Sequence, residues 1–271
     1  MEASYPMPVI RIADGGEEEL LDPVAAEIAF TLRVNGQVLV SLLCSPIELD
    51  AMAVGFLLSE GILSRRGDLL AVEVDEQTFT VSVTLADLPA DWQDRFHRRT
   101  ITSGCGHGVT FTDAAALADL GRRPPLRLRT CLLFDLLRDF RRRSTLFLET
   151  GGVHSAALAD RERLLLFSED IGRHNAVDKL LGKAFLAGID LTDKLLLSSG
   201  RISGEIMTKV IRNRIPVLVS RAAPTCMSIT RAEDHGVTLI GFARNNRMNI
   251  YSRPLGVVFE DLVAGREGVH G

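Results

Sequence analysis

The chain has 271 residues, of which 46% are hydrophobic and 24% are charged, a composition typical of an ordinary globular protein. Lysine and arginine total 31 against 35 aspartate and glutamate, so the net charge of -4 argues against a broad nucleic-acid-binding surface. No apolar run reaches the roughly 20 residues that span a bilayer, and the first residues lack the basic start of a signal peptide. We therefore expect a cytoplasmic protein that binds neither nucleic acid nor membrane, and any anion site must be local.

A hairpin and a helix are predicted near the start of the chain. Two β-type runs, Glu27 to Val34 and Gln37 to Leu43, are joined by Asn35-Gly36, the dipeptide best suited to a two-residue hairpin turn. Ser45-Pro46-Ile47-Glu48 then offers an N-cap hydroxyl, a proline in the first turn and a glutamate three residues after the cap. The helix that opens here is predicted to end at about Glu60, before a glycine.

Strand patterns near residues 70–74 and 78–85 complete a small α+β unit, which we assign to residues 1–100 as an N-terminal subdomain. Residues 101–271 are assigned to a second, α/β domain. Strand and helix patterns alternate through most of it, which is typical of a largely parallel sheet covered by helices. The predicted helices cover residues 112–120, 131–142, 173–187, 203–213 and 225–234, and the predicted strands cover residues 153–159, 163–168, 194–198, 216–220 and 237–242.

A single cysteine in a glycine-rich polar stretch opens the second domain. In the run from Thr102 to Gly108, three glycines and two hydroxyl residues leave the sulfur of Cys105 little to pack against and let the backbone approach a ligand. His107 would favour the thiolate, which is the nucleophilic form. These residues alone leave two interpretations open, a reactive thiol and a flexible loop that tolerates its cysteine.

The other three cysteines carry no such signal. They are Cys44, Cys131 and Cys226, which lie in or beside apolar segments and are predicted to be core residues. The four cysteines form no Cys-x-x-Cys pair, which argues against a disulfide framework and against a cysteine-rich zinc site.

Polar strand-to-helix turns form the candidate ligand site. Residues 169–175, 198–203 and 220–225 each place small or hydroxyl residues and an arginine where the N–H groups of a helix start point outward, an arrangement suited to phosphate. Parallel strands would bring all three turns to the carboxyl edge of the sheet, and residues 242–247 follow the last strand there. A phosphorylated or nucleotide-like ligand fits this pattern, and the alternative is that the turns only cap their helices.

Two histidines and one charged pair are further candidates. His154 at a strand start and His174 at a helix start suit either a ligand contact or ordinary hydrogen bonding, and neither has a partner at metal-ligand spacing. Asp178 and Lys179, one helical turn later, are equally consistent with an exposed pair and with a site.

Several runs of the sequence resemble the FdhD/NarQ family of formate dehydrogenase accessory proteins, which are regarded as sulfur carriers. The resemblance covers almost the whole chain, and the run from Asp170 to Lys179 is its most specific part. The runs are Val34-Asn35-Gly36, Ala53 to Gly61, Thr150 to Ala157, Glu169 to Lys179, Ser199-Gly200-Arg201 and Gly241-Phe242-Ala243-Arg244.

This resemblance implies a sulfurtransferase function. Sulfur from a cysteine desulfurase would be received as a persulfide on Cys105 and passed to the molybdenum or tungsten bis-guanine-dinucleotide cofactor of formate dehydrogenase. A homodimer is implied as well. The segment that the family uses to bind this cofactor corresponds to Phe242, Ala243, Arg244, Asn245, Asn246 and Arg247, and we add Arg173, His174 and Arg201 from the neighbouring turns.

The second half of this family resembles the cytidine deaminase-like fold, which implies a three-layer α/β domain beside the smaller N-terminal α+β subdomain. A zinc deaminase needs His-x-Glu and Pro-Cys-x-x-Cys at two helix starts, and here those turns read His174-Asn175-Ala176 and Ser199 to Ser203. We therefore expect neither deamination nor zinc.

One departure from the family pattern keeps other functions open. Many members carry a second cysteine three residues after the first, and Gly108 stands at that position, so no relay between two thiols is possible. Persulfide chemistry itself needs only one thiolate. The alternatives are a non-catalytic chaperone that binds the molybdenum cofactor for formate dehydrogenase, and a stand-alone nucleotide-binding regulator.

Overall fold

The structure, a computed structural model, describes residues 1–88, 100–101, 109–110, 126–252 and 257–259. The helix predicted over residues 112–120 lies outside the described residues. None of the helices in the described ranges is long and apolar enough to cross a membrane.

The N-terminal part holds a two-stranded ribbon, a four-stranded sheet and one long helix. Its elements are β1 (Ser4–Ala13), β2 (Gly16–Ala25), β3 (Ile28–Val34), β4 (Gln37–Cys44), α1 (Leu49–Glu60), β5 (Leu69–Asp75) and β6 (Thr80–Leu85), with a 3₁₀ turn at Arg66–Asp68. The ribbon pairs β1 with β2, and the sheet has the order β4-β3-β6-β5. An α+β arrangement is thus confirmed for this part of the chain.

Two-residue turns with positive φ close two of the hairpins in this region. Asn35 and Gly36 have φ values of 47° and 82°, which confirms the predicted hairpin between β3 and β4. Asp14 and Gly15 have φ values of 51° and 80° and join β1 to β2. The β1–β2 ribbon was not predicted, although Asp-Gly is an equally good sequence signal for this turn.

The predicted N-cap of α1 is wrong. The helix begins at Leu49, and Glu48 before it is left-handed with a φ of 56° and makes no side-chain cap. Ser45 is instead buried, where its N–H donates to Asp170 Oδ2 at 2.9 Å and its hydroxyl accepts from the N–H of Ile171 at 3.1 Å. A serine can cap a helix or form buried hydrogen bonds to a distant segment, so the local sequence pattern does not distinguish these two roles.

The second part is built on one six-stranded sheet with the order β11-β10-β12-β13-β14-β15. Its elements in chain order are β7 (Thr100–Ile101), β8 (Val109–Thr110), β9 (Leu126–Leu128), α2 (Thr130–Arg143), α3 (Thr145–Thr150), β10 (His154–Ala159), β11 (Leu164–Asp170), α4 (Arg173–Ala187), β12 (Leu195–Ser198), α5 (Gly204–Arg212), β13 (Val217–Ser220), α6 (Cys226–Asp234), β14 (Thr238–Arg244), β15 (Arg247–Ser252) and β16 (Val257–Phe259). The predicted alternation of strands and helices after residue 150 is confirmed.

The sheet is mixed rather than largely parallel, which corrects the sequence interpretation. β12, β13 and β14 are parallel to one another, while β10, β11 and β15 pair antiparallel with their neighbours. Residues 160–163 and 245–246 are hairpin turns too short for the crossover that parallel neighbours require. The α/β class itself is confirmed.

Helices cover both faces of this sheet. Alternate strand residues such as Leu196 and Leu218 pack against α4, α5 and α6, while Leu197, Val219 and Ile240 face the other way and pack with α2 and β9. Strands buried on both faces explain the nearly continuous apolar runs in β12 and β13.

The two parts of the chain meet where α1 crosses α4. A Cβ atom built on Gly55 would lie 1.7 Å from the carbonyl oxygen of Asp178, and one built on Gly182 would lie 1.9 Å from that of Ala51. Only glycine at both positions allows backbones to approach this closely. The helices therefore contact along their main chains. The subdomain boundary at residue 100 stays a prediction.

Candidate functional site

The three polar turns lie at one edge of the six-stranded sheet, as predicted. β10 is antiparallel to both β11 and β12, so β11 runs in the same direction as β12, which is parallel to β13. The second and third turns are hydrogen-bonded to each other: the hydroxyl of Ser220 donates to the Gly200 carbonyl at 2.7 Å, and the N–H of Ile202 donates to the Ala223 carbonyl at 3.0 Å. His174 of the first turn lies 3.3 Å from the hydroxyl of Ser203 in the second. The strand ends and the starts of α4, α5 and α6 therefore form one continuous surface, which we call the carboxyl edge.

Close approach between the first two turns depends on a glycine. A Cβ atom built on Gly200 would lie 2.8 Å from the Cβ atom of Arg173, the first residue of α4. Arg201 beside it is exposed. The predicted residues Arg173 and Arg201 are thus on neighbouring turns of the carboxyl edge.

His174 is tied to the start of α5. Its Nε2 atom lies 3.0 Å from a carboxylate oxygen of Glu205 and 3.3 Å from the hydroxyl of Ser203. The same hydroxyl accepts from the N–H of Ile206 and so caps α5. His174 therefore cross-links the starts of α4 and α5, and its predicted contact with a ligand stays a prediction.

His154 lies beside these groups at the start of β10. Its Nδ1 atom is 3.3 Å from the hydroxyl of Ser199, which also accepts from the N–H of Ser155 at 2.9 Å. Burial lowers the pKa of His154, and the nearby positive charges of Arg173 and His174 lower it further. A neutral imidazole is favoured here, first because the ring is buried and second because cationic groups lie nearby.

The segment from Phe242 to Arg247 is a hairpin rather than a strand that runs out into solvent. Asn245 and Asn246 form the turn between β14 and β15, with φ values of 52° and 56°. The N–H of Phe242 donates to the Ala222 carbonyl at 3.1 Å, so the hairpin is joined to the third polar turn.

The side chains of this hairpin have different environments. Ala243 is buried among the residues that pack with α2. The exposed residues are Arg244, Asn245, Asn246 and Arg247. The guanidinium carbon of Arg244 lies 5.9 Å from the centre of the Phe242 ring. Arginine and amide side chains are therefore presented together beyond the end of β14.

The charged residues Asp178 and Lys179 of α4 are buried and do not lie at the carboxyl edge. Lys179 is fully buried and donates to Asp170 at 2.6 Å, and the Nζ atom of Lys209 lies 2.6 Å from both carboxylate oxygens of buried Asp178. The hydroxyl of Ser59 in α1 also donates to Asp178. Burial raises the pKa of Asp178, and the charge of Lys209 opposes that rise.

The most specific sequence run therefore has two structural roles. Asp170, Asp178 and Lys179 join the second part of the chain to the N-terminal part, through Ser45 and Ser59. Between them, Arg173 and His174 lie at the carboxyl edge, whereas Ala176 and Val177 are buried in the core. Part of this long motif therefore serves buried packing rather than ligand binding, and the sequence alone does not show which residues do so.

Cys105, His107 and Gly108 lie outside the described residues. The short strands β7 and β8, which pair antiparallel with Thr100 opposite Thr110, come immediately before and after that stretch in the chain. The role of Cys105 stays a prediction.

The expectation for the other cysteines is wrong at two of three positions. Cys44 is buried, and burial raises the pKa of its thiol to about 12. Cys131 and Cys226 are exposed. The buried face of α2 is formed by residues 133, 136, 137 and 140, and position 131 does not share that helical spacing.

Two arginines at the carboxyl edge were not among the predicted site residues. Arg221 lies in the third polar turn, and Arg141 lies in the last turn of α2, where it resembles an ordinary solvated helix end. Burial lowers the pKa of Arg221, and the positive charges of Arg141 and Arg244 lower it further. Only the packing of α2 on the sheet brings Arg141 to this surface.

Comparison with known proteins gives a consistent result. The family model of the FdhD/NarQ family matches residues 25–257. The sulfur carrier protein FdhD of Listeria innocua is 38% identical over 252 residues, which cover 90% of this chain and 95% of that protein. The corresponding protein of Bacillus subtilis is 36% identical over 253 residues, which cover 91% and 94%.

A solved structure shares the architecture. The crystal structure of a formate dehydrogenase accessory protein from Desulfotalea psychrophila superposes with a TM-score of 0.77 and 25% sequence identity, covering 95% of this chain and all of that one.

Proposed function

Because this chain belongs to the FdhD/NarQ family, we propose that it is a sulfur carrier in the maturation of a formate dehydrogenase. The match extends over residues 25–257 and so includes both the cysteine stretch and the carboxyl edge. The observation that carries the proposal is the cationic carboxyl edge, formed by three adjacent turns and the hairpin after β14. We also assign the layered sheet and helices to the cytidine deaminase-like fold.

Cys105 is the proposed sulfur-carrying residue. Its thiolate attacks the outer sulfur of a persulfide on a cysteine desulfurase, which forms a new S–S bond to Cys105 and releases the desulfurase cysteine as a thiolate. One thiol is sufficient for this step, so Gly108 in place of a second cysteine does not prevent loading. The sulfur is then passed to the cargo of the protein.

The proposed cargo is the molybdenum or tungsten bis-guanine-dinucleotide cofactor of formate dehydrogenase. Its phosphates are strong anions, and the helix starts of α4, α5 and α6 present N–H groups beside Arg173 and Arg201. The exposed side chains of Asn245 and Asn246 offer amide donors and acceptors of the kind that read a guanine edge. A neutral His154 supports a role in hydrogen bonding rather than in charge pairing.

Mass spectrometry after incubation with a cysteine desulfurase and cysteine tests the carrier role. We expect one added sulfur atom on Cys105, and none in Cys105→Ala. Because Cys131 and Cys226 are also exposed, peptide mapping must locate the sulfur, and Cys131→Ala is the matched control that should load normally. Cys105→Ala should also fail to activate a partner formate dehydrogenase. Normal activation by Cys105→Ala would exclude the carrier role.

A cofactor-binding chaperone is the second candidate, favoured by the single thiol of the Cys105 stretch. It predicts no sulfur on Cys105, normal activation by Cys105→Ala, and loss of activation when arginines of the carboxyl edge are replaced. A cysteine desulfurase as partner, a homodimeric state and a cytoplasmic location stay predictions alongside either function.

A further inference from the structure

Three arginines from separate elements lie at the same end of the sheet, near the carboxyl edge. Arg221 follows β13, and Arg244 ends β14. β13 and β14 are parallel neighbours, and a hydrogen bond between Phe242 and Ala222 continues their contact beyond the strand ends. Phe140 of α2 is buried against this face of the sheet together with Ala243, which brings the adjacent residue Arg141 to the same end of the sheet.

These three arginines differ from other arginines of α2 in how their charge is paired among the described residues. Within the ranges that the structure describes, none of the three guanidinium groups forms an ion pair with aspartate or glutamate. Other arginines of α2 do: Arg138 pairs with Asp135, and Arg143 pairs with Asp139 at 3.1 Å. Burial lowers the pKa of Arg221, and the positive charges of Arg141 and Arg244 lower it further. Like charges at the same end of the sheet repel one another, so the arrangement favours an anion that would neutralise them.

We propose that Arg141, Arg221 and Arg244 form a binding site for a diphosphate group of a nucleotide. Each planar guanidinium can donate two parallel hydrogen bonds to phosphate oxygens, and three of them suit the several oxygens of a diphosphate better than a single carboxylate. Arg221 is half-buried, and Arg141 and Arg244 are exposed on either side of it. This inference rests on the proposed function, in which a dinucleotide cofactor is the cargo, and assigns its phosphates to α2 as well as to the polar turns.

Binding of inorganic pyrophosphate and of guanosine diphosphate tests the site. Titrations of pyrophosphate followed by ³¹P NMR, and calorimetric titrations of guanosine diphosphate, are compared between the wild type and the variants Arg141→Gln and Arg221→Gln. Loss of one charge-assisted phosphate contact is expected to weaken binding about tenfold to a hundredfold. Binding should also weaken as salt is raised, because the contacts are ionic.

Arg142→Gln is the matched control. Arg142 is the next residue of the same helix and is exposed, so its replacement removes the same charge about 100° around the helix. This variant should bind both ligands as the wild type does. Thermal melting of all the variants should agree, since none of the three replaced side chains is fully buried.

The outcomes separate this inference from the proposed function. If Arg141→Gln and Arg221→Gln bind as tightly as Arg142→Gln, or if the wild type binds neither ligand, the diphosphate site is wrong. Sulfur loading on Cys105 is measured in the same variants and should be unchanged. If the arginine variants lose binding while no variant accepts sulfur, the diphosphate site stands and the carrier role fails.

Discussion

Replacing Asp170 with asparagine is expected to destabilise the protein although the side chain keeps its size. The Oδ1 atom of Asp170 accepts hydrogen bonds from the N–H of Gly172 and the amide of Asn175, both at 2.8 Å. Its Oδ2 atom accepts from the N–H of Ser45 at 2.9 Å and from Lys179 at 2.6 Å. All four partners are donors, so the NH₂ group of an asparagine would face two donors in either orientation.

The magnitude follows from the burial of the lysine. The side chains of Lys179 and Asp170 are both 0% exposed, so Asp170→Asn leaves an ammonium group without a counter-ion away from water. Breaking a buried ion pair on one side costs about 3–5 kcal/mol. Because whole domains are stable by only about 5–15 kcal/mol, this variant should lose a large part of its free energy of unfolding.

Urea-induced unfolding followed by circular dichroism measures this loss. Asp139→Asn is the matched control, since Asp139 makes an exposed ion pair with Arg143 and its replacement should change the free energy of unfolding by less than about 1 kcal/mol. The double variant Asp170→Asn/Lys179→Met removes the unpaired charge and should recover part of the lost stability.

Two results would refute this reasoning. The first is a loss of stability in Asp170→Asn no larger than that in Asp139→Asn. The second is a double variant no more stable than Asp170→Asn, because the unpaired ammonium of Lys179 would then not be the source of the loss.

Three further predictions concern packing and ionisation. Gly55→Ala should lower the free energy of unfolding by about 1–3 kcal/mol, since its Cβ would lie 1.7 Å from a carbonyl oxygen of the facing helix, whereas Gly67→Ala, which has open space, should change it by at most about 0.5 kcal/mol. NMR titration should give His154 a pKa below its ordinary value of 6.5, and Arg173→Gln should raise that pKa. At pH values between the pKa of the folded protein and 6.5, the unfolded chain binds more protons than the folded one. The free energy of unfolding therefore falls as the pH falls through this range. Cys44, whose pKa is raised to about 12, should resist iodoacetamide in the folded protein at neutral pH while the two exposed cysteines react, and its labelling at their rate would contradict its burial.

Local signals in the sequence were sufficient for most elements of the fold. Asn35-Gly36 predicted a hairpin because few residue pairs accept positive φ twice in succession, and the structure has that turn. The polar turns after β11, β12 and β13 were predicted to share one edge, and they do. The mixed sheet was missed, although the short gap between the predicted strands 153–159 and 163–168 already requires an antiparallel pair. The antiparallel pairing of β10 with β12 depends on which strands become neighbours.

Long-range packing decided the rest. Ser45 looks like a helix cap, yet it binds Asp170, a residue 125 positions away. In the sequence, Arg141 is typical of a solvated helix end. In the structure, its neighbour Phe140 packs with Val219 and Ala243, close to the ends of the strands that Arg221 and Arg244 follow or end.

The sequence by itself determined the family, most of the strands and helices, and the polar character of the carboxyl edge, because each depends on residues that are close together in the chain. Only the tertiary structure decided which parts of the motif from Asp170 to Lys179 are buried ion pairs and which face the edge. It also decided which arginines form no ion pair with a carboxylate among the described residues. Burial and charge pairing depend on all the neighbours of a group in space, and most of those neighbours are distant in sequence.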